Sequence, residues 1–277
     1  MTNIINGRQL AKQTLAEISD AVAKLSFKPL ICDIVSAADS VALSYVKIKE
    51  KTAREVGMDF QIIELSPQST TQSVIEQINS VQKQPELCGL IVQLPIPLGI
   101  DQTAVLTSLD PKVDVDCIGP INSQAFYSGR APFYPPTAAA ILAMIDSLKI
   151  KHYDLNYLVL GQGELVGRPI TTLLQRRGYK VKIADRQTAN TDQLIKQADL
   201  IVSATGQPGL VTGLKIKKGS VLIDAGTSES GAGIVGDVDQ DSVNGIASYV
   251  TPVPGGVGPM TVAMLLANSL LTAQTKF

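Results

Sequence analysis

Apolar residues recur along this chain in two alternating rhythms. Over 8–24, Leu10, Leu15, Ile18, Ala21 and Val22 fall at helical spacing and predict an amphipathic helix. The run Leu30-Ile31-Cys32-Asp33-Ile34-Val35 predicts a mostly buried strand. A helix then follows to Val56, with Asp39 or Ser40 as its cap and Gly57 as its stop. Strands are expected over 60–65 and 88–95, with a helix over 69–84 between them. Val113 to Asp116 alternates as a short extended piece, and the pattern then dissolves through Gly119, Pro120, Gly129, Pro132, Pro135 and Pro136. Thr137 is positioned to cap the next helix. A second series of strands is expected over 157–160, 181–184, 200–206, 220–226 and 249–250, and an apolar helix over 260–271 closes the chain. Strands alternating with helices predict parallel sheets covered on both faces.

The pattern places two kinds of loop at strand ends. Tyr157-Leu158-Val159-Leu160 runs straight into Gly161-Gln162-Gly163-Glu164-Leu165-Val166-Gly167, and a helix follows. Glycines between a strand and a helix let a pyrophosphate approach backbone N–H groups at the positive helix end. The spacing is GxGxxxG, and an ordinary tight turn is the competing reading. Asp185, at the end of the next strand, stands where a Rossmann unit places the acid that binds ribose hydroxyls. The second loop spans 251–261 and carries three prolines and three glycines between Pro252 and Pro259, which neither a strand nor a helix accommodates.

With 277 residues, a length prior gives about two domains. Twenty-four basic against 25 acidic residues, scattered, leave no basic face for nucleic acid. The first residues lack the pattern of a signal peptide, and no uninterrupted apolar run has the length of a membrane span, so the expected setting is the cytoplasm, with no membrane partner. Cys32, Cys88 and Cys117 read as buried thiols rather than disulfide partners. The one histidine, His152, has no Cys or His companion, so no metal site and no Ser-His-Asp triad is expected. Acid–base chemistry then falls to Lys, Tyr or a carboxylate. Tyr45 and Lys49, four apart, share a helix face, Gln93 ends a buried strand, and Asp116 follows in a loop. Spacing alone does not separate these four from a solvated face, a strand cap and a turn.

An ordered set of motifs does. Tyr45-Val46-x-x-Lys49, Val92-Gln93-Leu94-Pro95-Ile96-Pro97, Asp114-Val115-Asp116, Val166-Gly167-Arg168-Pro169 and Pro252-Val253-Pro254-Gly255-Gly256-Val257-Gly258-Pro259-Met260-Thr261 together resemble the bifunctional methylenetetrahydrofolate dehydrogenase/methenyltetrahydrofolate cyclohydrolase family. The resemblance runs from Ile5-Asn6-Gly7 nearly to the end of the chain. It implies two three-layer α/β domains with a cleft between them. A folate-binding catalytic domain would span 1–136, completed by 259–277, and a Rossmann-like NAD(P)-binding domain would span 137–258. It further implies one-carbon chemistry on tetrahydrofolate derivatives and a homodimer. Lys49 is similar to the family's catalytic lysine, Tyr45 to the aromatic that stacks on the aminobenzoyl ring, Gln93 to the glutamine that contacts the lysine, and Asp116 to the carboxylate that bonds the pterin. Val92, Leu94, Pro252, Pro254, Gly255 and Gly256 would complete the folate wall. Gly161, Gln162, Gly163, Val166, Gly167, Asp185, Arg186, Thr205, Gly206 and Thr227 would hold the cofactor.

The chain departs from the family pattern at Ser36, at Cys117 in place of glycine, and at Pro136-Thr137-Ala138. It also reads one residue longer before Tyr45. Family habit implies NADP. Yet Gln162 stands where an arginine would meet the 2′-phosphate, and Asp185 favours free hydroxyls, so NAD is also open, with Arg186 able to offset part of that charge. Two other readings remain: a two-domain dehydrogenase using a Lys–Asp pair on a hydroxy acid, and a folate or nucleotide binder that has lost catalysis.

Overall fold

The computed structural model describes residues 1–37, 40–148, 150–151, 154–230 and 233–276, so Asp39 and His152, expected as a cap and in a polar connector, lie outside the described residues. In chain order the first elements are β1 (Asn3–Ile4), α1 (Gly7–Val22), β2 (Leu30–Ser36), α2 (Ser40–Glu55), β3 (Asp59–Leu65), α3 (Thr71–Val81) and β4 (Leu87–Val92). The short helices α4 (Gln102–Thr107) and α5 (Pro120–Tyr127) lead to α6 (Pro136–Asp146), β5 (Asn156–Leu160), α7 (Gly167–Arg176), β6 (Lys180–Ala184), α8 (Thr191–Gln197) and β7 (Leu200–Ser203). Then come β8 (Val221–Asp224), β9 (Ser228–Ser230), β10 (Gly233–Val235), α9 (Gln240–Val243), β11 (Tyr249–Val250) and α10 (Val257–Gln274).

The chain forms two α/β units. One comprises Gln13–Pro136 and Val262–Phe277. Its sheet runs β3-β2-β4, all parallel, and β2 and β4 are buried along nearly their whole length, as their continuous apolar runs require. Side chains alternate across β2. Ile31 and Val35 pack with Val46 and Ala53 of α2, Ile91 of β4, and Leu265 and Leu266 of α10. Cys32 and Ile34 face the other way, onto Val74 and Ile78 of α3. Gly57 ends α2 with φ 90°. Thr70 and Ser73 form a reciprocal capping box that starts α3.

The other unit comprises Met1–Lys12 and Thr137–Thr261. It holds a parallel sheet in the order β1-β11-β8-β7-β5-β6, plus the antiparallel pair β9-β10. The expectation that residues 1–136 belong together is corrected at its start. Asn3 and Ile4 pair with Tyr249 and Val250 at the edge of this second sheet, so the first dozen residues join the nucleotide-type unit.

Three local expectations also change. Val113–Asp116 is turn rather than strand, because the buried Asp114 carboxylate accepts from the N–H groups of Ile118 and Gly119 and curls the segment. The segment expected to be irregular contains α5, with Pro120 in its first turn, where a missing N–H costs nothing. Thr137 lies inside α6, whose first residue is Pro136. All three cysteines are buried and free. Although α10 has the length and hydropathy of a membrane span, 56% of it is buried, and Asn268 donates from it to the carbonyls of Val115 and Tyr134. It serves this fold as a core helix.

Candidate functional site

Residues of β2, α2, the end of β4 and the turn around Asp116 converge on one polar cluster. Lys49 lies on the α2 stripe that includes Val46, Ala53 and Val56, so helical periodicity turns it toward the sheet, and it is only 2% exposed. Asp33 alternates with Ile31 and Val35 and therefore faces α2. Gln93 follows Ile91 by two residues and emerges on that same face. The result is an ion pair of 2.5 Å between Lys49 Nζ and Asp33 Oδ2, and a 2.7 Å hydrogen bond donated by Lys49 Nζ to Gln93 Oε1. One turn earlier in α2, the Tyr45 ring centroid lies 5.4 Å from Nζ.

Three acidic or phenolic groups here are pushed toward their neutral forms. Burial raises the Asp33 carboxyl to about 6, with Lys49 pulling it back and Asp116 adding to the rise. Burial likewise raises Asp116, opposed by Lys49. Burial and the charges of Asp116 and Asp33 raise the Tyr45 phenol, which keeps it an un-ionised stacking surface. Burial also raises the neighbouring Asp114, to about 6, although two backbone N–H groups bond it.

The sequence candidates Tyr45, Lys49, Gln93 and Asp116 thus come together in one unit. Val92 is buried at the end of β4, and Leu94 precedes a cis bond to Pro95. Asp33 was missed. Its signal was available as a single carboxylate inside an otherwise apolar strand.

The second unit assembles the cofactor candidates at the carboxyl ends of β5, β7 and β8. Gly161 has φ 87°, and a Cβ there would lie 2.4 Å from the Ala204 carbonyl oxygen. A Cβ on Gly167 would lie 2.1 Å from the Gly161 carbonyl oxygen, whereas one on Gly163 would meet nothing within 4 Å. The turn is therefore packed on glycine at both ends and open at its middle, a form that fits the approach of a dinucleotide phosphate to the start of α7. Val166 immediately precedes α7. Gln162 Nε2 donates inward to Gly161 O at 2.8 Å and to Thr171 Oγ1 at 3.2 Å. Asp185 is exposed, and its Oδ1 accepts from Gln187 N and Thr188 Oγ1. Arg186 beside it is exposed as well.

Thr205 is fixed by a second residue that pattern alone did not expose. Asp237, fully buried, accepts from Ser203 Oγ (2.7 Å), from Thr205 N and Oγ1 (2.8 Å each) and from Gln207 N (2.8 Å). Ser228 Oγ donates to the Gly206 carbonyl at 2.9 Å, which brings Gly206 beside Thr227. Pro252, Pro254, Gly255 and Gly256 also belong to this unit. Val253–Pro254 is cis, and Gly255 has φ 109°, with Arg8 Nε 3.3 Å from where its Cβ would be.

Two family models cover most of the chain. The tetrahydrofolate dehydrogenase/cyclohydrolase catalytic domain matches residues 5–116, and the NAD(P)-binding domain of the same family matches residues 135–277. The bifunctional protein FolD of Staphylococcus epidermidis is 37% identical over all of this chain and 98% of its own length. The crystal structure of the bifunctional FolD of Campylobacter jejuni superposes with a TM-score of 0.95 at 30% identity, covering 100% of both chains. That of Trypanosoma brucei methylenetetrahydrofolate dehydrogenase-cyclohydrolase, complexed with NADP and an inhibitor, superposes at 0.93 with 32% identity, covering 99% of this chain and 97% of its own. With both domain models in order and relatives aligned end to end, this chain belongs to the tetrahydrofolate dehydrogenase/cyclohydrolase family.

Proposed function

We infer that this chain is a bifunctional enzyme that oxidises 5,10-methylenetetrahydrofolate to the 5,10-methenyl form with NAD(P)+, and then hydrolyses that form to 10-formyltetrahydrofolate. The observation that carries the reading is the buried Lys49 amine, held by Gln93 and flanked by Tyr45 and Asp116.

Each side chain has a role that follows from its chemistry. The neutral Tyr45 ring offers a flat face to the aminobenzoyl group. Asp116 accepts hydrogen bonds from the pterin. Gln93 takes one Lys49 N–H and so fixes where the remaining lone pair or protons of Nζ point. Lys49 accepts the proton of the attacking water and returns one as the ring opens. Pro252, Pro254, Gly255 and Gly256 form a loop held rigid by proline, suited to folate contact.

Gly161, Gly163, Val166 and Gly167 would hold the dinucleotide phosphates, with Thr205, Gly206 and Thr227 beside them. The chemistry that NAD(P)+ would supply there, when bound, is a hydride acceptor. NADP is the cofactor named for the T. brucei relative. In this chain Gln162 brings no positive charge and is tied inward, and Asp185 sets a carboxylate at the end of β6. These residues favour the free hydroxyls of NAD over a 2′-phosphate. The enzyme works in the cytoplasm as a homodimer.

The deciding assay follows methenyltetrahydrofolate formation spectrophotometrically with each cofactor, and the hydrolysis of preformed methenyl substrate separately. Lys49→Met should lower hydrolysis by at least about 100-fold. Full hydrolysis in that variant would remove Lys49 from the proton-carrying role. A strong kcat/KM preference for NADP would overturn the reading of Asp185.

A further inference from the structure

Three of the buried carboxylates among the described residues are wrapped in hydrogen-bond donors. Asp237 accepts four bonds, Asp224 accepts from the N–H groups of Gly226, Asp237 and Val238, and Asp114 from those of Ile118 and Gly119. Asp33 is as deeply buried, at 0% exposure, yet no amide, hydroxyl or backbone N–H among the described residues bonds to either of its oxygens. Its one close polar contact is Lys49 Nζ. A carboxylate in this setting caps no turn and ties no loop. With Lys49 alone to oppose burial, it is disposed to take a proton.

We propose that Asp33 is a positioning residue that holds the Lys49 amine and takes a proton from it, leaving the nitrogen free to accept one from water. The proposal rests on the reading of Lys49 as the proton carrier in hydrolysis. An ammonium proton passes from Nζ to Asp33 Oδ2, which restores the nitrogen lone pair. Water then adds to the methenyl carbon, forming the C–O bond, while one water proton goes to Nζ. As the bond from that carbon to folate N5 breaks, its electron pair remains on N5. The proton of the added hydroxyl ends on N5 and leaves a formyl carbonyl. The extra proton held by the Lys49–Asp33 pair is released to solvent, which accounts for the single proton the reaction produces.

The surroundings favour this exchange. From α2, Asp33 faces Lys49 and Tyr45; the turn at 116 adds Asp116; and Cys32 adjoins it on β2. Its neighbours on β3 and β4 are Ile62 and Ile91, and α10 carries no ionisable side chain. Asp116, a second carboxyl beside the one ammonium, adds to the rise of Asp33 and so favours a proton on it. Burial raises Asp33 to about 6. Below that pH Asp33 already carries a proton and cannot take one from Nζ.

The test is the pH dependence of hydrolysis of preformed methenyltetrahydrofolate, without dinucleotide, for the wild type, Asp33→Asn and Lys49→Met. The wild type should lose kcat on an acid limb near pH 6. In Asp33→Asn this limb should move by at least about one pH unit, and kcat at neutral pH should fall at least about tenfold while KM changes less than about twofold. Dehydrogenase turnover should fall far less than hydrolysis. An unchanged limb and kcat in Asp33→Asn, with Lys49→Met inactive, would overturn the role of Asp33 and leave that of Lys49 standing. An active Lys49→Met would overturn both. If Asp33→Asn does not fold, carboxyl-carbon NMR of the wild type and Lys49→Met decides. An aspartate that titrates near pH 6 and shifts upward when the lysine is removed supports the pair, and no such response refutes it.

Discussion

Asp237→Asn is a sharp probe of how the Thr205–Gln207 turn is held, because one buried carboxylate receives four hydrogen bonds from three residues. Oδ2 takes Ser203 Oγ, Thr205 N and Thr205 Oγ1, while Oδ1 takes Gln207 N. An asparagine that keeps its oxygen toward the first three donors turns its NH2 against Gln207 N–H. That donor is then buried without a partner, at about 1–3 kcal/mol. The other three bonds lose the ionic part of their strength, about 1 kcal/mol each. Rotation offers no relief, since turning the amide over sets its NH2 against the three donors that now meet Oδ2. Not burying a charge returns several kcal/mol, about 3. The net loss is about 2 kcal/mol, which lowers the melting temperature of this unit by roughly 6 °C. With the Thr205–Gln207 turn loosened, the cofactor KM should rise about tenfold, whereas hydrolysis of preformed methenyl substrate, which uses no dinucleotide, should change less than about twofold below the melting transition. Calorimetry and separate assays of the two reactions read this directly. A variant with wild-type melting and wild-type cofactor KM would refute the account of Asp237 as the anchor of this loop.

Two further perturbations address the other buried features. Gly167→Ala places a carbon 2.1 Å from the Gly161 carbonyl and should raise the cofactor KM by at least about tenfold, with hydrolysis retained; an unchanged KM would mean that the turn is not the phosphate cradle. For Asp114, the rise from the ordinary 3.8 to about 6 means that the folded state binds its proton more tightly than the unfolded chain does. Its stabilisation is therefore full below about pH 4 and lost as pH rises through about 6, a change of about 3 kcal/mol. Denaturant titrations should show the stability difference between Asp114→Asn and wild type moving in the variant's favour by that amount between about pH 4 and 7. A difference independent of pH would contradict the burial argument.

Features written in local pattern were legible in the sequence, and those made by distant partners were not. The strand-to-helix turn at Gly161 and the parallel α/β character follow from periodicity and glycine placement. Lys49 carries a clue of its own, since it interrupts the stripe of Val46, Ala53 and Val56 that a helix must bury. Asp33 was lost among apolar neighbours because a strand tolerates a charge at its surface, and only α2 makes this face an interior. The pairing of Asn3 with Tyr249 has no local sign at all. Pro120 misled in a different way: read as a breaker, it belongs to the first turn of α5. Cys117 stands where the family pattern has glycine, and it is the one non-glycine residue with positive φ, 59°, among the described residues. The backbone there thus keeps a left-handed turn that costs an L-residue about 1–2 kcal/mol.

The edge strand β1 also bears on how this protein is made. Its partner β11 lies far along the chain, at Tyr249–Val250, and α10 supplies Leu265 and Leu266 to the core beneath β2. Neither unit can close before residues beyond 248 have been made, since each takes in part of that stretch. Both units therefore complete their native sheets and cores late, through contacts of high sequence separation, which slow folding. Cutting the chain at residue 136 would yield two fragments that each lack a piece of themselves, so the two chemistries are inherited as one folding event.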